Sequence, residues 1–141
     1  MDIRTKYENG AEWVFDSFRK LWVRATPEEK VRQWFCHTLT EALGYPEVAV
    51  ANEVLVRVGG QAQRCDTLVY RAGDPVMVVE YKAPDVPLSA RVFGQVARYN
   101  LTLRVPLMAV SNGRSTCCMR VAGRKTEFLS GLPSWSEILA L

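Results

Sequence analysis

The residues best suited to chemistry in this chain are Asp66, Glu80 and Lys82. In the run Val78-Val79-Glu80-Tyr81-Lys82, strand alternation puts Val78, Glu80 and Lys82 on one face and Val79 and Tyr81 on the other. A hairpin folded about Ala72-Gly73 brings Asp66 opposite position 79 or 80, and a loop of three or five residues pairs it with Glu80. Opposed carboxylates, about 5 Å apart at their Cβ atoms, repel on a half-buried sheet unless a cation lies between them. Mg²⁺, with Mn²⁺ as a substitute, takes one or two carboxylates together with water and phosphate oxygens, which is the set on offer. Lys82, about 7 Å further along the strand, is placed to orient or deprotonate an attacking water or to balance charge on a phosphate.

These groups need a scaffold, and the sequence supplies its parts. Thr26-Pro27-Glu28-Glu29 has the N-cap, the proline and the spacing of a helix start, and Gly44-Tyr45-Pro46 ends that helix. Val31, Phe35, Leu39 and Ala42 form its apolar stripe; Glu28 falls on the stripe, whereas Glu29 is rotated off it and serves the cap. Glu28 is therefore the inward carboxylate without a local partner. Strands are predicted over 48–58, 64–70 and 76–82, then a helix over 89–103 with Val92, Val96, Tyr99 and Gln95 on one side. Further strands at 105–111 and 116–121 flank the Asn112-Gly113 turn, and a short helix closes the chain within 133–141. The segment from Trp13 to Val23 is rich in aromatic and β-branched residues but has no clean period, so its type stays open.

Composition narrows the function classes. With 141 residues, 48% of them hydrophobic, the chain is expected to form a single α/β domain, residues 1–25 packing on it as an N-terminal extension. Its apolar runs are far shorter than the roughly 20 residues of a membrane span, and the polar start opens no secretory signal; a cytoplasmic location is the expectation. The single histidine, His37, excludes mechanisms built on several histidines, and the four cysteines, with no CxxC pair, read as reduced thiols. A net charge of +3 mildly favours a polyanionic partner.

Asp66, thirteen residues and then Glu80-Tyr81-Lys82 resembles the D-(x)n-E-x-K core of PD-(D/E)XK nucleases. Segments 15–23, 26–33, 64–66, 79–84, 95–100 and 111–113 together look like the N-terminal nuclease domain of type I restriction enzyme R subunits. The resemblance implies a restriction-endonuclease-like three-layer fold with a central mixed sheet flanked by helices. Asp66 and Glu80 would then be metal ligands, Lys82 the catalytic lysine, and Glu28 the first-helix glutamate. Gln95 and Tyr99 resemble the QxxxY element of RecB-like nucleases, and with Arg98 they are the expected substrate contacts; Arg91, Arg114 and Arg32 are further phosphate candidates. A Walker GxxxxGK[ST] is missing, so the expected activity is Mg²⁺-dependent endonucleolysis of DNA without the ATP-driven translocase. DNA, other restriction-modification subunits and a second copy of the chain are the expected partners. RNA as substrate, or an inactive nuclease-fold module that binds nucleic acid or protein, are the alternatives.

Overall fold

The computed structural model describes residues 2–141. Its centre is a six-stranded mixed sheet formed by β4 (Val50–Val58), β5 (Gln61–Arg71), β6 (Asp74–Tyr81), β7 (Leu107–Ser111), β8 (Thr116–Ala122) and β9 (Lys125–Phe128), hydrogen-bonded in that order. Every neighbouring pair is antiparallel except β6 and β7, which run parallel because α2 (Ala90–Leu103) carries the chain across between them. α1 (Pro27–Glu41) and the C-terminal α3 (Trp135–Leu139) cover one face, where Val31, Phe35, Leu39 and Ile138 pack on Val69, Val79 and Tyr81. α2 covers the other, with Val92 and Val96 against Leu68, Val78 and Val110. Helix, mixed sheet and helix make the three layers expected from the sequence.

The open segment near the N-terminus is β structure. β1 (Thr5–Glu8), β2 (Ala11–Asp16) and β3 (Leu21–Arg24) form a three-stranded antiparallel sheet. Only its inner positions follow the alternating pattern, with Val14 and Asp16 buried. The strand β9 was not anticipated; all four of its residues are exposed, so no burial pattern marked it. Among the described residues all cysteines are free, and no helix is long and apolar enough to cross a membrane.

α1 begins as its sequence dictates, Thr26 Oγ1 accepting from the Glu29 N–H at 3.1 Å. The two glutamates exchange the places expected of them: Glu29 is buried and Glu28 exposed. The cause is charge compensation. The Glu29 carboxylate, instead of closing a capping box, accepts from Arg19 at 2.7 Å and from Gln33 at 3.1 Å and pairs with Arg32 Nε at 3.1 Å. Two guanidinium groups offset its desolvation, whereas Glu28 has no ion pair among the described residues. Ala42, expected on the stripe, is the exposed C-cap.

The β5–β6 hairpin sets the register of the site by a route that the sequence did not show. Its loop is the two-residue turn Ala72-Gly73, both residues at positive φ (+51° and +85°), which pairs Arg71 with Asp74. That register alone would set Asp66 against Val79. A bulge at Val76, beside Pro75 with its missing N–H, inserts one residue and gives Val69↔Met77 and Thr67↔Val79. Continued by one step, the shifted register puts Asp66 opposite Glu80.

Candidate active site

The site opens where β5 and β6 stop pairing. The ladder ends at Thr67↔Val79, and beyond it the Tyr81 N–H is met by the Asp66 side chain, with Oδ2 accepting at 2.8 Å. On the other side of β6, the Lys82 N–H donates to the Ser111 carbonyl at 2.9 Å, which holds the strand end in place.

Asp66 takes up this position because β5 and β4 both turn over beside it. Asn52 and Thr67 face α1, where both approach the Cys36 thiol. Val54 and Cys65, two residues further along each strand, pack in the α2-side core. Residues two apart in a strand normally share a face. The switch falls at Glu53, whose φ of +57° is left-handed, a conformation that costs a non-glycine residue roughly 1–2 kcal/mol. Arg32 spans this kink from α1, donating to the Asp66 carbonyl from one terminal nitrogen and to Glu53 Oε1 from the other, both at 2.5 Å. Arg32 is therefore a buried clamp and not one of the free phosphate contacts anticipated from the sequence. Burial works to lower its pKa, but Glu29 first, then Tyr81, Asp66 and Glu53, outweigh it and raise the net value.

Arg32 is the last link in a continuous polar chain through the core. Tyr81 Oη donates to Thr67 Oγ1 (2.9 Å), Thr67 donates to Asn52 Oδ1 (2.6 Å), and Asn52 Nδ2 donates to Asp16 Oδ2 (3.2 Å). Asp16 pairs with Arg19, Arg19 with Glu29, and Glu29 with Arg32. Sequence reasoning missed Glu53, Asp16 and Arg19. The visible sign of the kink was the adjacent polar pair Asn52-Glu53 in a strand whose other polar residue is Arg57.

Glu80 is buried on the α2 side, and its Oε2 has no hydrogen-bond partner. Burial foremost, then the facing Asp66 carboxylate, pushes its pKa up to about 8, against the pull of Lys82. Burial also raises that of Asp66, opposed by the Tyr81 N–H and Arg32. The exposed Glu28 carboxylate adds an upward push to both. Two acids that favour sharing a proton at neutral pH are a site short of positive charge. Among the described residues no three His, Cys, Asp or Glu side chains converge. An ion held here would draw most of its ligands from water or phosphate oxygens, which fits Mg²⁺ or Mn²⁺ and disfavours zinc.

Lys82 is half-buried and has no ion-pair partner among the described residues, so the salt bridge to Asp66 that would have explained it structurally does not form. It lines a concavity of about 250 Å³ with Ser89, Arg91 and Gln95. Glu80 lines a smaller adjoining one, of about 70 Å³, with Gln63, Gln95, Arg98 and Tyr99. The fold thus gathers Gln95, Arg98 and Tyr99 around Glu80. Gln95 touches both hollows, and its buried Oε1 lacks a partner. The Tyr99 hydroxyl donates to the Arg64 carbonyl at 2.9 Å, tying α2 to β5. A larger concavity, about 480 Å³ between Ser17–Lys20 and Glu47–Asn52, contains none of these groups; chemistry and not size locates the site.

The raised acid pKa values have a sign that can be measured. In the unfolded chain Glu80 loses its proton near 4.5, whereas the folded chain holds it to about 8. The folded state therefore binds more protons between these values, and stability falls as pH rises through that window. Glu80→Gln is expected to leave the thermal midpoint of the metal-free protein little changed at pH 4 and to raise it at pH 9. Mn²⁺ binding by wild type should strengthen over the same interval, because each ion must displace a proton. Calorimetry at several pH values would read both, and an affinity independent of pH would contradict the shared-proton picture.

The sequence matches the family described as type I restriction enzyme R protein N terminus (HSDR_N) over residues 27–133. Two solved structures share the fold. A fragment described as an HsdR subunit of a type I restriction enzyme from Vibrio vulnificus YJ016 superposes with a TM-score of 0.61 at 18% identity, covering 80% of this chain and 24% of that one. A protein described as a nuclease of DUF820 from Anabaena variabilis ATCC 29413 gives 0.51 at 12% identity, covering 97% and 84%. The chain thus spans about a quarter of the Vibrio fragment, 24% of its length. No curated protein matches the sequence. With the mixed sheet, the paired acids and the adjacent lysine in place, the family match identifies this as a nuclease-like domain: the chain belongs to the type I restriction enzyme R protein N-terminus family.

Proposed function

We propose that the chain is a metal-dependent endonuclease that hydrolyses DNA phosphodiester bonds at Asp66, Glu80 and Lys82. The observation that carries this reading is the buried, unpartnered Glu80 Oε2 facing Asp66, with its pKa raised to about 8. Asp66 and Glu80 would hold Mg²⁺ or Mn²⁺, which when bound supplies countercharge and polarises the phosphoryl group. The Tyr81 N–H fixes the Asp66 carboxylate, leaving its other oxygen to the cleft. Lys82 orients the attacking water and meets the charge that grows on the phosphate oxygens. Gln95 and Arg98, beside Glu80, hold the DNA backbone on either side of the cut. DNA and the other subunits of a restriction system are the proposed partners, and pairing with a second copy would let two sites cut both strands.

Supercoiled plasmid incubated with the purified protein should be nicked or linearised with Mg²⁺ or Mn²⁺ and remain intact in EDTA. A second reading, a nuclease-fold module that binds without cutting, draws on the exposure of Glu28, which leaves two carboxylates where a third was expected. Intact plasmid under every metal condition, together with no calorimetric binding of Mn²⁺, would favour it.

A further inference from the structure

The three-stranded N-terminal sheet has one face turned inward, where Val14 and Asp16 are buried, and one face that nothing in the nuclease reading uses. Cross-strand pairing arranges the outer face in two rows. Lys6, Trp13 and Arg24 lie opposite one another in the first, and Phe15 and Trp22 in the second, which Arg4 extends through the Phe15 N–H bond to its carbonyl. Phe15 and Trp22 meet edge to face at 5.4 Å. Each cation sits over a ring: Arg4 at 4.9 Å from Phe15, Lys6 at 4.5 Å from Trp22, and Arg24 at 5.6 Å from Trp13. The acid on this face is Glu8, which pairs with Lys6 at 2.8 Å, so the face carries three cations to one acid.

We propose that this outer face of β1–β2–β3 is a platform for single-stranded DNA, on which bases stack on Trp13, Phe15 and Trp22 while Arg4, Lys6 and Arg24 take the phosphates. Trp13, Phe15 and Trp22 are only half-buried, so their π faces become accessible once the flexible cations swing aside. An unpaired base replaces the cation on the ring, and its phosphate keeps the cation in place beside it. A duplex cannot use the rings, because its bases are already stacked on each other. A protein partner fits less well, because the core of a protein interface is depleted of charge, lysine included, and here every ring lies under a cation. The choice of DNA over RNA rests on the proposed nuclease function; the stacking geometry does not.

The test is fluorescence anisotropy of a labelled oligothymidylate in EDTA at low salt, so that cutting plays no part. Trp22→Ala should weaken binding by about tenfold, in line with the loss of one stacked base, and Trp22→Phe should retain most of the affinity. The double variant Lys6→Glu/Arg24→Glu, at surface positions that spare the fold, should bind at least as weakly as Trp22→Ala and with a flatter salt dependence. Unchanged affinity in that double variant, a duplex of equal length bound as tightly, or oligouridylate bound more tightly would each overturn the inference. A wild type that binds through this face but never cuts leaves the platform standing and removes the nuclease reading. A wild type that cuts, with binding untouched by the face variants, does the reverse.

Discussion

Lys82→Ala is expected to lower the rate of metal-dependent plasmid cutting by about 100- to 10,000-fold, the range for removing a positioned proton-transfer or charge-stabilising group. Its fold and its Mn²⁺ affinity should be kept. Lys82 is half-buried, lacks an ion-pair partner among the described residues and holds its place through its main-chain bond to Ser111, so the side chain can be cut back without leaving a buried charge behind. Asp66→Asn should lose both activities, because the amide keeps an acceptor for the Tyr81 N–H but removes the negative charge a cation needs. Plasmid nicking measured beside circular dichroism and metal calorimetry separates the two roles. Cutting that survives in both variants would sink the site assignment.

Arg32→Met should produce the largest loss of stability of any single change near the site, about 3–5 kcal/mol, the usual cost of removing one partner from a buried ionic group. The substitution fills the volume but abandons Glu29, Glu53 and the Asp66 carbonyl, all of which Arg32 satisfies. For a chain of this size the thermal midpoint should fall by roughly 10 °C or more. Arg32→Lys should recover only part, since one ammonium cannot span the Asp66 carbonyl and Glu53 in the manner of a planar fork. Combining Arg32→Met with Glu53→Gln should restore some of the deficit, because the second change removes a carboxylate that the first left unpaired. Additive losses in that cycle would show that the clamp is not a coupled unit.

The parts of the fold written in local signals were legible. Thr26-Pro27 set the start of α1, Asn112-Gly113 the β7–β8 turn, and the alternation in the third long strand the division of Val78 and Val79 between the two cores. What escaped depended on contacts distant in sequence. Glu28 and Glu29 are equivalent carboxylates until Arg19 and Arg32, from two other stretches of chain, choose the second. The pairing of Asp66 with Glu80 was expected, but from a longer loop; the bulge at Val76 replaces it, and an extra residue inside an apolar run leaves no mark in hydrophobicity. Nor does a left-handed Glu53 differ on paper from any other strand glutamate. The aromatic segment at 13–23 had no period because its outer face buries its rings under cations, which blurs the apolar–polar contrast that alternation relies on.

The polar chain from Tyr81 to Arg32 ignores the boundary at which the family resemblance begins, residue 27, since Asp16 and Arg19 lie upstream of it. A version trimmed to start at Thr26 would keep every residue named in the catalytic proposal yet deprive Asn52 and Glu29 of their upstream partners. Such a truncation should melt earlier and bind Mn²⁺ less tightly than the whole chain, and adding a peptide of the missing strands should restore part of both. The hydrogen-bonded network extends beyond the segment that the family covers, so anyone grafting this nuclease-like domain onto another protein must carry the leading sheet along with it.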